Sequence, residues 1–154
     1  MKIPSLGYVL ADEGGGVSIG KKLVTDYLKF QMPENIRTLF TDRYDISSQL
    51  VIERVYQTPM PNRFLAGFAP FVEENINDSY CQSIVQKQFV KFFKRNILLY
   101  PNPEKYDVSF CGSIAFSHAD ILMKLGEKYG LAIKKIVKQP ISDLAIYFQQ
   151  QLKG

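Results

Sequence analysis

The stretch LGYVLADEGGGVSIGKKL, from Leu6 to Leu23, decides how this chain folds. It begins with a short apolar run, Tyr8 to Leu10, which predicts a strand. Three consecutive glycines, Gly14 to Gly16, follow, and then apolar residues recur at helical spacing. Glycine permits a positive φ and the close approach of a ligand because it has no Cβ. The stretch therefore predicts a strand, a tight turn and the start of a helix.

Two acidic residues, Asp12 and Glu13, stand directly before these glycines. The amides of a helix N-terminus can bind a phosphate, but two carboxylates beside them would repel one. Carboxylates accept hydrogen bonds, and the hydroxyls of a sugar or polyol donate them. Neighbouring side chains of an extended segment point in opposite directions. We therefore expect Asp12 to face a sugar and Glu13 to cap the amides of the turn.

The composition is that of an ordered globule. The chain has 154 residues, 46% of them hydrophobic, and a formal charge of +4. This length suits one domain, residues 1–154. The basic residues are mixed with acidic ones, apart from a small cluster at Lys134, Lys135 and Lys138, which disfavours a nucleic-acid partner. No apolar run reaches the ~18 residues of a membrane span, and no signal-peptide pattern is present. We expect a cytoplasmic protein.

Cysteine and histidine usage disfavours a metal centre. Cys81 and Cys111 lie far apart in the sequence, and His118 is the one histidine. These three residues cannot form a typical zinc site, so no metal ligand is assigned. We expect both cysteines to be reduced and buried. We also expect His118, which has no nearby cysteine nucleophile, to be a packed residue and not a catalyst.

The first two thirds of the chain has helical periodicity. It predicts five helical segments: Ile19 to about Gln31, a helix opened by Pro33, one capped by Ser47, one capped by Asn62 and divided by Pro70, and a long one from Asp78 to about Tyr100. The aromatic residues of the last segment recur at helical spacing. Such a stripe is typical of a packed core.

The last third alternates between strand and helix. Val108 to Cys111 and Leu131 to Val137 are predicted strands that flank a helix from Ile114 to Gly126, and a final helix opens near Pro140. Strand, helix and strand in this order predict a parallel right-handed crossover. The whole chain is thus a helix-rich α/β protein with a small sheet.

The turn between the first of these strands and its helix, Gly112-Ser113, is a second candidate site. Ligands of open α/β sheets bind beyond the carboxyl ends of strands, although an ordinary strand-to-helix connection has the same pattern. The familiar nucleotide motifs are absent: there is no GxxxxGK[ST], and Ile19 stands where GxGxxG requires its third glycine.

Four blocks of the sequence resemble one known family. LGYVLADEGGGVSIGKKL is similar to the LGDEGSG-x-x-IG segment of the BadF/BadG/BcrA/BcrD ATPase family, which includes the N-acetylglucosamine kinases of the actin, hexokinase and Hsp70 superfamily. The blocks ERVYQTPMPNRFLAGFAPFVEEN, VSFCGSIAFSHADIL and QPISDLAIYF resemble later family blocks in the same order. The resemblance runs from Pro4 to about Leu152.

The resemblance implies part of a ribonuclease-H-like lobe of a two-lobed kinase that binds ATP and Mg²⁺ and transfers phosphate to a sugar hydroxyl. It assigns sugar contact to Asp12, with Glu13 and Gly14 beside it in the substrate loop. It assigns contact with the adenosine part of ATP to Gly112 and Ser113. Two positions depart from the family pattern, because Ala11 replaces a glycine and Gly15 replaces a serine.

The family's phosphate loops and its catalytic aspartate belong to segments that precede the first block. The resemblance therefore implies the C-terminal lobe of an N-acetylglucosamine kinase-like protein, without catalytic residues of its own and inactive alone. The implied partners are a missing N-terminal lobe and a second copy in a homodimer. Two alternatives stay open: an ATPase that activates a dehydratase or reductase through an iron-sulfur cluster, and a non-catalytic dimerisation module.

Overall fold

The computed structural model describes residues 3–151, which form two compact units that divide between Leu99 and Tyr100. The first unit is helical. Its α-helices are α1 Gly7–Leu10, α2 Gly16–Leu28, α3 Glu34–Arg43, α4 Ser48–Tyr56, α5 Pro61–Ala66, α6 Ala69–Glu74 and α7 Ser79–Phe92, and a π-helical turn, Phe93–Ile97, continues α7.

The core of this unit is built from the apolar faces that the periodicity predicts. Each helix from α2 to α7, except α4, buries at least one large apolar side chain. The fully buried residues include Ile19, Leu23, Ile36, Phe40, Phe71, Val72, Ile84 and Val85. Phe40 contacts the rings of Tyr27, Tyr44, Phe68 and Phe71. The prediction that the aromatic residues of α7 pack in a core is confirmed by buried Phe89.

The closest approach of two helices in this unit lies between α2 and α5. A Cβ on Gly20 would lie 1.8 Å from the carbonyl oxygen of Leu65, so no larger residue fits at this position. Gly16, one turn earlier in α2, has ordinary van der Waals distances to Ala66 and Ala69. The position of α2 against α5 is therefore fixed at Gly20.

A buried polar cluster also joins α2 to α7. Asp26 is 2% exposed and accepts hydrogen bonds from Lys22 Nζ at 2.7 Å and from the Tyr80 hydroxyl at 2.9 Å. Burial and the hydrogen bond to Asp26 raise the pKa of Tyr80, so its hydroxyl remains a donor. This pairing satisfies a carboxylate that would otherwise be costly to bury.

The predicted helix cap at Ser47 is confirmed, because its Oγ accepts the amide of Leu50 at 3.1 Å. Asp78, where the long helix was expected to begin, caps α7, since its Oδ1 accepts the amide of Tyr80 at 2.8 Å. The predicted cap at Asn62 is wrong. Helix α5 begins at Pro61, and its N-cap is Met60 at a positive φ of 59°. Proline suits the first helical position because its missing amide would have no partner there.

The predicted strand at Tyr8 to Leu10 is also wrong. These residues form α1, in which the amide of Ala11 donates to the carbonyl of Gly7 at 2.9 Å. Val9 and Leu10 are 70% and 66% exposed. A strand needs the backbone of a neighbour, and the sheet in the described part of the chain consists of two later strands. A short apolar run does not by itself distinguish strand from helix.

The second unit contains a two-stranded sheet. Its elements are a 3₁₀ turn at Pro103–Lys105, then β1 Asp107–Cys111, α8 Ser113–Ser117, α9 Ala119–Lys128, β2 Ala132–Val137 and α10 Ile141–Gln151. The strands are parallel, with Asp107 opposite Ala132 and Cys111 opposite Val137, and a register shift lies between Val108 and Ser109. The predicted parallel pairing and the helix-rich α/β class are confirmed.

Two details of this unit differ from expectation. The helix predicted from Ile114 to Gly126 is divided at His118, which is 3% exposed and adopts a non-helical ψ of 34°. Cys111 is exposed, whereas Cys81 is buried as expected. The exposure of Cys111 follows from its position at the end of a strand in a sheet that has two strands in the described chain.

Among residues 3–151, no helix is long and apolar enough to cross a membrane.

Candidate functional site

The acidic glycine turn joins α1 to α2 in the first unit. The amide of Gly15 donates to the carbonyl of Asp12 at 3.1 Å, which closes the turn. Asp12 and Gly14 both have positive φ values, 80° and 77°. The left-handed region is uncommon for residues other than glycine, and aspartate is among the residues that adopt it in turns.

The carboxyl group of Asp12 lies close to the N-terminus of α2. Its Oδ2 is buried and accepts no hydrogen bond from the described residues. Burial raises the pKa of Asp12 and the charge of Glu13 adds to the rise, while the backbone amides of Ser18 and Val17 oppose it. The turn thus holds a partly desolvated carboxyl group whose buried Oδ2 has no donor among the described residues.

Gly15 is what allows this position of the carboxyl group. A Cβ on Gly15 would lie 2.7 Å from both Asp12 carboxylate oxygens. Gly14 packs against α7, since a Cβ there would lie 3.4 Å from Phe92 Cβ and 3.5 Å from Phe89. Gly15 therefore leaves space for a carboxyl group that lies directly over residue 15.

Glu13 lies apart from the amides that it was expected to cap. Its Oε1 forms an ion pair with Arg95 Nη1 at 2.6 Å, and its side chain is 10% exposed. Asp12 faces the amides instead, because the positive φ at Asp12 turns the chain back over the start of α2. The arginine of this region thus binds Glu13 and leaves Asp12 without an ion pair.

A cavity of about 340 Å³ lies beside Glu13, between α1, α2 and α7. We call it the basic cavity, because its lining includes Lys21, Lys22, Lys91 and Arg95 together with Gln88. The sequence analysis missed these residues as a group. Gln88, Lys91 and Arg95 have the i, i+3, i+7 spacing of one helix face, which is the signal that could have identified three of the five residues.

The Gly112-Ser113 turn lies in the second unit, at the carboxyl end of β1. The amide of Gly112 donates to the carbonyl of Val137 at 2.9 Å, and its φ is 137°. A Cβ on Gly112 would meet no atom within 4 Å. The backbone of this turn is therefore accessible, although its helix α8 is too short to form an anion site.

Within the described part of the chain, no three His, Cys, Asp or Glu side chains are grouped so as to hold a metal ion.

The structure is similar to a crystal structure of a putative N-acetylglucosamine kinase from Porphyromonas gingivalis. The TM-score is 0.85 and the sequence identity is 39%. The match covers 92% of this chain and 50% of that chain, so this chain spans about half the length of that protein. No protein-family model matches the sequence, and no curated protein matches it either. The helix-rich unit and the small parallel sheet together correspond to part of a kinase-like fold.

Proposed function

We propose that this chain forms the C-terminal lobe of an ATP-dependent kinase that phosphorylates N-acetylglucosamine or a related amino sugar. The fold similarity over 92% of the chain supports a kinase-like lobe. The sugar assignment is supported by the chemistry of the acidic glycine turn.

The observation that carries the proposal is the unpartnered Oδ2 of Asp12. A buried acceptor without a donor is costly, and a rotation of the Asp12 side chain that uncovers Oδ2 would let a sugar hydroxyl donate the hydrogen bond that it lacks. A phosphate group would be repelled by the same carboxylate when ionised.

Glu13 and Gly14 have supporting roles in this proposal. Glu13 positions the loop through its ion pair with Arg95, which anchors the turn to the end of α7. Gly14 supplies the second positive φ and packs its backbone against the aromatic residues of α7. Both residues thus maintain the direction of the Asp12 side chain toward the sugar.

Gly112 and Ser113 are proposed to contact the adenosine part of ATP. The open space above Gly112 fits a flat base or a ribose that lies against the backbone. ATP would supply the phosphoryl group that is transferred, and Mg²⁺ would accompany its phosphates. The N-terminal lobe would supply the remaining contacts and the general base. We therefore expect no kinase turnover from this chain alone.

The alternatives give different results in solution. An ATPase activator with an iron-sulfur cluster would show iron absorbance after anaerobic purification. A dimerisation module would form a stable dimer by light scattering and would bind neither sugar nor ATP. Cys111 is exposed, as a cysteine that binds a cluster at a dimer interface would be. The two-stranded sheet of the described residues has unpaired edges, at which a second copy could bind.

Calorimetric titration of N-acetylglucosamine into a two-lobed protein that contains this chain tests the proposal. Asp12→Asn should weaken sugar binding by about 10-fold to 100-fold, the effect of losing a hydrogen bond to a charged acceptor. Asp45→Asn, which changes an exposed aspartate far from the turn in sequence, should have no effect. Unchanged sugar affinity in Asp12→Asn would reject the assignment.

A further inference from the structure

The Asp12 carboxyl group lies over the start of α2, and Gly15 provides the space for it. A Cβ on Gly15 would lie 2.7 Å from both carboxylate oxygens, which is well inside van der Waals contact. The backbone of Gly15 itself has a φ of −90° and a ψ of 168°, values that residues other than glycine adopt freely. The missing Cβ at residue 15 is therefore needed for the location of the carboxyl group and not for the backbone conformation.

This location of the carboxyl group over Gly15, which we call the inward position, closes Oδ2 to a ligand. The Oδ2 atom is buried and accepts no hydrogen bond from the described residues. A hydroxyl donates a hydrogen bond only to an oxygen that it can approach within about 3 Å, so the carboxyl group must move before Oδ2 can accept one. Asp12 as a whole is half-buried, so the turn lies near the surface.

Opposing effects act on the carboxyl group in the inward position. The amides of Val17 and Ser18, in the first turn of α2, favour the charged carboxylate, as the N-terminus of a helix does. The loss of water from Oδ2 acts against it. No cation among the described residues forms an ion pair with Asp12, because Arg95 binds Glu13 instead. The inward position is therefore held by the helix amides alone.

The turn can release the carboxyl group without unfolding. The hydrogen bond that closes the turn joins the amide of Gly15 to the carbonyl of Asp12 at 3.1 Å, so it does not involve the Asp12 side chain. Rotation about the Cα–Cβ bond of Asp12 thus moves the carboxyl group and leaves this hydrogen bond intact. We call the rotated arrangement, with the carboxyl group in solvent, the outward position.

We propose that the inward position is an autoinhibitory contact: the Asp12 carboxyl group occupies the start of α2 in the free chain and binds a sugar hydroxyl only after it rotates outward. This inference rests on the proposed function, because it concerns the regulation of the same sugar contact. The contribution of a side chain at a helix N-terminus corresponds to a preference of about fivefold to tenfold for the inward position. The apparent sugar affinity is lowered by the same factor, since only outward molecules bind.

The first test locates the carboxyl group and needs no sugar. Gly15→Ala adds a Cβ that excludes the inward position, and Gly16→Ala, whose Cβ would make ordinary contacts, is the matched control. Burial is the main cause of the raised pKa of Asp12, and the charge of Glu13 is present in both variants. NMR of the Asp12 carboxyl carbon in the full chain should therefore show a pKa closer to the usual value in Gly15→Ala and a raised pKa in Gly16→Ala. An unchanged pKa in Gly15→Ala would overturn the proposal.

The second test measures sugar affinity by calorimetry in the two-lobed protein. Gly15→Ala should bind N-acetylglucosamine about fivefold to tenfold more tightly than the wild type, because every molecule then has the outward position. Gly16→Ala should bind the sugar as the wild type does. A loss of packing alone would not tighten binding, so the direction of the change separates autoinhibition from a merely structural role. Equal or weaker binding by Gly15→Ala would overturn the proposal.

The autoinhibitory contact and the proposed function fail in different ways. If Asp12→Asn binds the sugar as tightly as the wild type, the proposed function is rejected and the autoinhibition is rejected with it, whatever the pKa in Gly15→Ala. If Asp12→Asn weakens sugar binding and Gly15→Ala does not tighten it, the proposed function is supported and the autoinhibitory contact alone is rejected.

Discussion

The two candidate turns have similar sequences and very different environments. Each follows an apolar run and contains a glycine with positive φ, Gly14 in one and Gly112 in the other. The acidic glycine turn is packed, with a carboxyl group in contact with Gly15 and aromatic residues of α7 around Gly14. The Gly112-Ser113 turn has open space around its glycine. The carboxyl group of the first turn is enclosed by its own chain, whereas the second turn has an accessible backbone.

The difference between the turns originates in the helices behind them. Helix α2 begins at the acidic glycine turn and is fixed against α5 at Gly20. Helix α8, which follows Gly112, has five residues and ends before His118. A turn that precedes a long, tightly packed helix can hold a side chain in an unfavourable conformation, because the surrounding contacts compensate for the strain.

The largest expected effect concerns the thiols, which report the accessibility of the two units. Burial raises the pKa of Cys81 to about 12, so its thiolate fraction should be roughly a thousandfold below that of an unperturbed cysteine. Cys111, next to Gly112, is exposed. In the native protein near pH 8 we expect one thiol to react with a maleimide reagent, and mass spectrometry should locate it at Cys111.

Rapid modification of Cys81 in the native protein would contradict the close packing of the first unit. Protection of Cys111 would contradict the openness of the Gly112-Ser113 turn. A denatured sample, in which both thiols should react, is the control for reagent and stoichiometry.

The next effect concerns the packing of α2. Gly20→Ala should lower the free energy of unfolding by about 2–3 kcal/mol, because its Cβ would lie 1.8 Å from the Leu65 carbonyl oxygen and the helices must separate. Gly16→Ala is the matched control in the same helix and should be neutral or slightly stabilising. Chemical denaturation measures the free energy of unfolding of both variants. Equal stabilities of the two variants would show that α2 is not fixed at Gly20.

A smaller effect tests the contact between Asp12 and Gly15. Gly15→Ala should lower the free energy of unfolding by about 1–2 kcal/mol, since its Cβ would displace the Asp12 carboxyl group. In an Asp12→Ala background the same substitution should cost almost nothing, because the obstructing oxygens are gone. A double-mutant cycle measured by denaturation gives this coupling energy. Additive effects of the two substitutions would mean that the carboxyl group does not lie over Gly15.

Local signals in the sequence predicted much of the fold. The cap at Ser47, the start of the long helix at Asp78, the division at Pro70 and the two strands of the sheet each depend on residues close in sequence. The assignment of Tyr8 to Leu10 failed because three apolar residues fit either helix or strand, and the presence of a partner strand decides between them.

The candidate site was predictable only in part. The residues Asp12 and Gly15 were identifiable from their types, but their contact depends on a positive φ at Asp12, a conformation that aspartate adopts in some turns and not in others. The basic cavity depends on lysines of α2 and α7 that are 70 positions apart in the sequence, Lys21 and Lys91. Only the packing of α2 against α7 brings such residues together.

The central claim is that the Asp12 carboxylate accepts a hydrogen bond from the sugar. In the free protein, burial holds the pKa of Asp12 above its usual value. A raised pKa in the folded state means that folding stability falls as pH rises through this range. A sugar hydroxyl that donates to the ionised carboxylate would lower this pKa, so sugar affinity should increase as pH rises through the pKa of the free protein.

The most direct measurement is therefore an NMR titration of the Asp12 carboxyl carbon in the two-lobed protein, with and without saturating N-acetylglucosamine. The account predicts a raised pKa without sugar and a lower one with sugar bound. The same pKa in both samples, with the sugar demonstrably bound, would contradict it.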